Sequence, residues 1–115
     1  MSQPQPLPLE ISVDDVAELI AKPAASVRLV DCREDDEWQV CHIEGAELVP
    51  LTQFGELAAQ RFTDDGEHII VYCHHGMRSH RAAMWLREHG FSRAQSMRGG
   101  IDLWADVIDP AVAKY

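Results

Sequence analysis

The stretch Glu67-His68-Ile69-Ile70-Val71-Tyr72, then Cys73-His74-His75-Gly76-Met77-Arg78-Ser79, then His80-Arg81-Ala82-Ala83-Met84-Trp85-Leu86, sets three kinds of sequence in a row. The first is a short apolar run rich in β-branched residues and reads as a buried strand. The last reads as an amphipathic helix. Between them a cysteine opens a tight loop that feeds a helix N-terminus. Such a terminus offers unpaired N–H groups and a partial positive charge, and successive loop N–H groups form a concave nest for anions. Gly76 permits a backbone geometry that a side chain forbids, and Arg78 and Arg81 add fixed positive charge. Each of these features lowers the pKa of a thiol at Cys73. A free cysteine of pKa ~8.5 is only about 3% thiolate at neutral pH, whereas a drop of about two units makes it about 75% thiolate. The loop is expected to make a nucleophile of Cys73.

Working outward, Leu9-Glu10-Ile11 predicts a short strand, and Ser12 caps a helix that runs through Val16, Leu19 and Ile20 and stops at Lys22-Pro23. Val27–Asp31 predicts a strand, Glu34–Trp38 a turn of helix, Ala46–Pro50 a strand, and Gln53–Arg61 a helix. Asp64-Asp65-Gly66 predicts a turn. The helix after the cysteine loop is expected to reach His89, with Gly90 as its left-handed cap. Ala94–Met97 predicts a last strand, and Gly99-Gly100 opens a final helix containing Trp104. Strands alternating with helices imply an α/β fold with a parallel, helix-covered sheet. Ligands of such sheets bind outside the carboxyl ends of the strands. That rule selects the loops after Asp31, Pro50, Tyr72 and Met97, and so gathers Cys73, Cys32, Arg33 and Arg98 at one edge.

Composition bounds the rest. A chain of 115 residues, 46% hydrophobic and 25% charged, is one ordinary domain, expected over residues 9–115 behind a flexible Pro/Gln tail at 1–8. No apolar run reaches the length of a membrane span, and the first residues lack the basic and apolar regions of a signal peptide. Three cysteines argue against a disulfide framework and for a cytoplasmic setting. The net charge of -9 is uneven: residues 1–67 hold 15 acids against 4 bases, residues 68–115 hold 4 acids against 6 bases. The reactive loop therefore lies in the one neutral-to-basic region, and the acidic remainder disfavours nucleic acid as a partner.

Taken together these pieces resemble a single-domain rhodanese, a member of the rhodanese-like sulfurtransferases. The resemblance rests on Leu29-Val30-Asp31-Cys32-Arg33-Glu34, His42-Ile43-Glu44-Gly45-Ala46, Ile70 through Ser79, Ala82-Ala83, Leu86, Gly90-Phe91 and Gly99-Gly100-Ile101-Asp102-Leu103-Trp104. It implies a five-stranded parallel sheet flanked by helices on both faces. It also implies a persulfide mechanism with Cys73 catalytic and with His74, His75, Gly76, Met77, Arg78 and Ser79 forming the substrate-binding loop. The donor implied is thiosulfate or a persulfide, the acceptor a thiol, cyanide or a protein, and neither a metal nor an organic cofactor is required. Two positions depart from the family pattern. Cys41 stands where glycine is usual, and Cys32 where a plain hydrophobe is usual.

Other residues have blander roles. Asp31 and Arg33 are expected to anchor loops, His42 to make a structural hydrogen bond, and Trp38, Trp85 and Trp104 to pack in the core or at its rim. Cys32 and Cys41 read first as packed thiols near a turn, and second as partners that take sulfur from Cys73 or bridge to it. His74, His75 and His80 lack zinc-like spacing. Two other functions compete. A cysteine phosphatase or arsenate reductase of related fold separates Cys from Arg by five residues, whereas four stand between Cys73 and Arg78 here. A non-turnover sulfur carrier or redox sensor has the same loop and docks to a partner, with Glu34–Glu37 as the acidic docking patch.

Overall fold

Strand β4, His68–Tyr72, is buried at every position, as a central parallel strand covered on both faces must be. In a computed structural model that describes residues 7–22, 26–63 and 66–115, β4 lies at the middle of a five-stranded sheet. The other strands are β1 (Glu10–Ile11), β2 (Val27–Asp31), β3 (Glu47–Leu48) and β5 (Ala94–Met97), in the order β1-β5-β4-β2-β3 and all parallel. The expected five-stranded parallel α/β sheet is thus present. The helices are α1 (Val13–Ile20), α2 (Asp35–Val40), α3 (Phe54–Arg61), α4 (Met77–Glu88) and α5 (Gly100–Val107).

The sheet divides the core in two. On one face, Val30, Ile69 and Val71 pack against Phe54 and Ala58 of α3 and Ala82 and Leu86 of α4. On the other, Leu29, Ile70 and Tyr72 pack against Val13 and Val16 of α1 and Ile101 and Trp104 of α5. Full burial of each large aliphatic side chain stabilises by about 1.5–3 kcal/mol, so this alternation fixes the register of the sheet. From β2 the chain moves outward to β3, and from β4 it moves outward the opposite way to β5. The loops after β2 and β4 therefore separate and leave a crevice between them, the usual ligand position of such a sheet.

Several boundaries differ from the sequence reading for local reasons. Strand β3 is two residues long, because Pro50 has no N–H to give the ladder and Leu51–Gln53 turns as a 3-10 helix. Helix α3 accordingly begins at Phe54. Helix α4 begins at Met77, which puts Arg78 and Ser79 in its first turn rather than on a free loop. Gly90 has φ +99° after the helix end, as expected of a left-handed cap. Pro23, Asp64 and Asp65 of the predicted helix stop and turn lie outside the described residues, as do residues 1–6 of the predicted tail. At the edge of that tail, the Leu7 and Pro8 carbonyls accept hydrogen bonds from Arg87 Nη2 at 2.9 and 3.0 Å. Among the described residues no helix is long and apolar enough to cross a membrane.

The loop after β2 is tied down by a buried ion pair. Asp31 and Arg33 are both 0% exposed, and Arg33 donates to the carboxylate from Nε at 2.9 Å and from Nη2 at 2.6 Å. The remaining donors of the fork are also used: Nη2 reaches the Cys41 carbonyl at 2.6 Å and Nη1 the Tyr115 hydroxyl at 2.7 Å. One guanidinium thus joins β2, the end of α2 and the C-terminal segment. Removing one partner of such a pair strands a buried charge. Asp31→Ala is expected to lose about 3–5 kcal/mol in urea unfolding, the usual cost of an orphaned buried ion. A loss below about 1 kcal/mol, the value of a surface pair, would show that Arg33 finds another anchor.

Candidate active site

Cys73 follows the last residue of β4 and is 1% exposed, yet it forms the floor of an open cavity of about 330 Å³. The cavity is lined by Cys73, His74, His75, Met77, Arg78 and Arg81. Two backbone N–H groups donate to the Cys73 sulfur, Gly76 at 3.0 Å and Ser79 at 3.3 Å. The second is one of the first-turn donors of α4 that has no partner within the helix. The chain reverses to aim them because Gly76 takes φ +106°, which side-chain-bearing residues rarely adopt. The Ser79 hydroxyl stands 3.5 Å from the sulfur and 2.7 Å from the Ser96 hydroxyl of β5.

These neighbours charge the sulfur. The neighbouring thiol of Cys32, the residue after β2, together with the Ser79 hydroxyl and the Ser79 and Gly76 N–H groups, outweighs burial. The Cys73 pKa is pulled down to about 5. The Cys32 thiol is driven upward by the same contact and by its own burial. Two adjacent thiols cannot both ionise, and the backbone donors decide which one does.

The loop is seated from below by the start of α5. Ile101 N–H donates to the Cys73 carbonyl at 2.8 Å and Asp102 N–H to the His74 carbonyl at 3.1 Å. A Cβ at Gly100, where φ is +62°, would overlap both carbonyls. The paired glycines that the sequence shows as a helix opening are therefore the condition for the loop to rest on α5.

Arg78 points at an acid. Its Nη1 and Nη2 donate to the Glu37 carboxylate of α2 at 2.7 and 2.9 Å. Glu37 also accepts from the Tyr115 hydroxyl at 2.9 Å and from the Glu34 N–H at 3.1 Å. The bidentate arginine, with these two further donors, holds the Glu37 carboxyl down at about 2 against the effect of burial. The acidic stretch is consequently divided: Glu37 belongs to the site, Glu34 accepts from the Thr52 hydroxyl at 2.8 Å, and Asp35 and Asp36 face solvent.

His74 is sandwiched between Tyr115 and His75, with ring centroids 4.0 and 3.9 Å away. Burial and the neighbouring His75 both lower its pKa, and its Nε2 is buried without a hydrogen-bond partner among the described residues. His74, His75 and Asp102 place ligand atoms within 4.8 Å of one another. A stacked imidazole pair does not aim its in-plane lone pairs at one point, so this trio does not make a metal centre without turning a ring. His42 has Nδ1 2.9 Å from the Trp38 carbonyl and stacks on that indole, in the structural role expected of it. Cys41 lies apart from the loop, in a hollow of about 490 Å³ that His42, Ile43 and Trp104 also line.

Of the six predicted loop residues after Cys73, Gly76 and Ser79 donate N–H groups to its sulfur, His74, His75, Met77 and Arg78 line the cavity, and the Arg78 fork is engaged by Glu37. Glu37, Ser96 and Tyr115 belong to this site without being marked in the sequence as parts of it. For Glu37 a signal existed, an unpaired arginine in a helix first turn, where the dipole disfavours it. For Ser96 and Tyr115 there was none.

The arrangement of sheet, loop and glycine seat has known counterparts. The family model for the rhodanese-like domain matches residues 12–106. The chain belongs to the rhodanese-like domain family. It is 37% identical over 89 residues to a probable adenylyltransferase/sulfurtransferase MoeZ of Mycobacterium tuberculosis, covering 76% of this chain but only 22% of that protein. It is 34% identical over 94 residues to the thiosulfate sulfurtransferase GlpE of Pseudoalteromonas translucida, covering 82% of this chain and 86% of that one. The crystal structure of a rhodanese-related protein of Thermoplasma volcanium superposes with a TM-score of 0.76 at 26% identity, covering 90% of this chain and 96% of that one. The rhodanese-like domain here thus spans about a fifth of MoeZ and most of GlpE.

The ionised sulfur makes a direct prediction. Alkylation of Cys73 by iodoacetamide is expected to follow thiolate content, staying near its maximum at neutral pH and falling as pH drops through about 5. Cys32→Ala removes the largest influence lowering the Cys73 pKa and should move that midpoint upward. A wild-type midpoint near the ordinary thiol value of ~8.5 would refute the geometry.

Proposed function

We propose that this protein is a sulfurtransferase that works through a persulfide on Cys73. The observation that carries this reading is the buried, thiolate-poised sulfur at the floor of an open cavity, met by the Gly76 and Ser79 N–H groups. The Cys73 thiolate attacks the outer sulfur of thiosulfate or of another sulfane-sulfur donor. Sulfite, or the donor thiolate, departs, and Cys73 is left as Cys–S–S⁻. The two N–H donors stabilise the thiolate and then the persulfide anion, costing little reorganisation because the helix start and Gly76 already hold them in place. An acceptor thiol, cyanide or partner protein takes the outer sulfur through the cavity mouth and restores Cys73. This cycle needs neither a metal nor an organic cofactor. The similarity to a thiosulfate sulfurtransferase over most of both chains supports the reading, and three free cysteines fit a reducing cytoplasm.

The phosphatase alternative fares worse on the same geometry. An oxyanion cradle needs an arginine free to fork onto the phosphate. Arg78 is one residue too close to Cys73 for that family's spacing, and its fork is occupied by Glu37.

Two experiments follow. Reduced protein mixed with thiosulfate should gain the mass of one sulfur, and a cyanide chase should remove it as thiocyanate. Cys73→Ser should gain nothing while keeping the fold. Sulfur uptake by that variant would refute the mechanism, and uptake without turnover on cyanide would favour the carrier reading. Because Arg78 is committed to Glu37, Arg78→Ala and Glu37→Gln are expected to slow loading from thiosulfate and from an uncharged organic persulfide alike, by about tenfold or ~1.4 kcal/mol. A loss confined to thiosulfate in Arg78→Ala would instead assign the guanidinium to the donor's oxygens.

A further inference from the structure

Cys32 and Cys73 occupy the same step on adjacent parallel strands. The register pairs Asp31 with Tyr72, so the two cysteines are the next pair beyond it. The ladder has not yet opened there, because Cys32 N–H still donates to the Tyr72 carbonyl at 3.0 Å. Alternation along each strand sends both sulfurs to the face that Val30 and Val71 occupy, and all four belong to one core cluster. Neighbouring strands stand about 4.7–4.9 Å apart, inside the Cα separation of roughly 4.4–6.8 Å that a disulfide spans. The register therefore brings the two cysteines within the Cα range in which a disulfide forms.

The positions of the two sulfurs relative to solvent differ in a useful way. The cavity opens over Cys73, and its lining includes His74, His75 and Arg78. Cys32 is 0% exposed and sits behind Cys73 in the core. An external acceptor meets the outer sulfur of a Cys73 persulfide from the cavity. Cys32, packed in the same core cluster and absent from the cavity lining, can meet only the inner sulfur from within the protein.

We propose that Cys32 is a resolving thiol that discharges the Cys73 persulfide internally, giving the protein a second outcome: release of sulfide from sulfane sulfur. The inference rests on the persulfide reading above. The Cys32 sulfur attacks Cys73 Sγ, the bond from Sγ to the outer sulfur breaks, and a Cys32–Cys73 disulfide forms. The outer sulfur leaves as hydrosulfide, taking the proton that Cys32 gives up. The sulfane sulfur is reduced, the two cysteines are oxidised, and charge is conserved, so a single turnover consumes no further reagent. A small dithiol or a dithiol reductant protein reopens the bridge for the next cycle. When an acceptor is abundant the sulfur leaves through the cavity, and when it is scarce the internal path takes over and parks the nucleophile as a disulfide.

The test loads wild type, Cys32→Ala, Cys32→Val and Cys41→Ala with thiosulfate at alkaline pH, removes the donor, and follows intact mass and free sulfide with no acceptor present. Wild type and Cys41→Ala are expected to lose the added sulfur as one equivalent of sulfide and to end lighter than the reduced protein by a pair of hydrogens. Peptide mapping should join Cys32 to Cys73. The two Cys32 variants are expected to load more slowly, and once loaded to keep the persulfide, its loss at least about tenfold slower than in wild type. If wild type keeps its sulfur as long as Cys32→Ala and releases no sulfide, this inference falls and the transferase reading stands. If the mapped bridge involves Cys41, it falls likewise. If the folded Cys32 variants and wild type alike take up no sulfur at Cys73, both readings fall together.

Discussion

Everything at this site depends on two peptide N–H groups converging on one sulfur. Gly76 and Ser79 can point at Cys73 only if β4 ends at Tyr72, the backbone turns through a left-handed residue, and α4 starts at once. A helix first turn has donors to spare, and here one of them is spent on a thiolate. The rest of the structure can be read as the set of supports that keep this short turn in place. The α5 N-terminus holds the Cys73 and His74 carbonyls from beneath, the Glu37–Arg78 pair closes one side, and the His74–Tyr115 stack closes another.

Charge is distributed with the same economy. An arginine in the first turn of a helix works against the helix dipole. Arg78 is tolerated because Glu37 neutralises it across the crevice, with Tyr115 and the Glu34 N–H completing the carboxylate's hydrogen bonds. Tyr115 in turn accepts from Arg33, whose fork is closed on Asp31 and on the Cys41 carbonyl. A chain of hydrogen bonds thus runs from the buried pair after β2 to the loop after β4. It couples the two strand ends whose chains depart in opposite directions and hold the crevice open.

The two cysteines at those strand ends give the crevice its chemical character. One is held toward the thiolate by its neighbouring thiol, the Ser79 hydroxyl and two backbone N–H groups, and the other is driven toward the thiol by that neighbour and by burial. Where a plain hydrophobe would only fill space, Cys32 places a proton and a second sulfur behind the nucleophile. The substitution changes little in volume and much in the reactions open to Cys73.

The sequence alone determined the sheet, its helices and its reactive edge. Those features follow from periodicity and from local backbone rules: an unbroken apolar run for β4, a glycine at the turn, and a cysteine just before a helix start. It also determined the anchoring role of Asp31 and Arg33, two residues apart on a strand end. Tertiary structure decided which groups meet across the crevice. Nothing in the local pattern links Glu37 to Arg78, 41 positions away, or Tyr115 to Arg33, 82 positions away. Such contacts depend on strand order, and strand order places β2 beside β4 although α2, β3 and α3 lie between them in the chain. The same adjacency turned Cys32 from a packed thiol near a turn into the partner of Cys73. Periodicity gives the face on which a side chain lies, but only the paired register gives the neighbour it faces there.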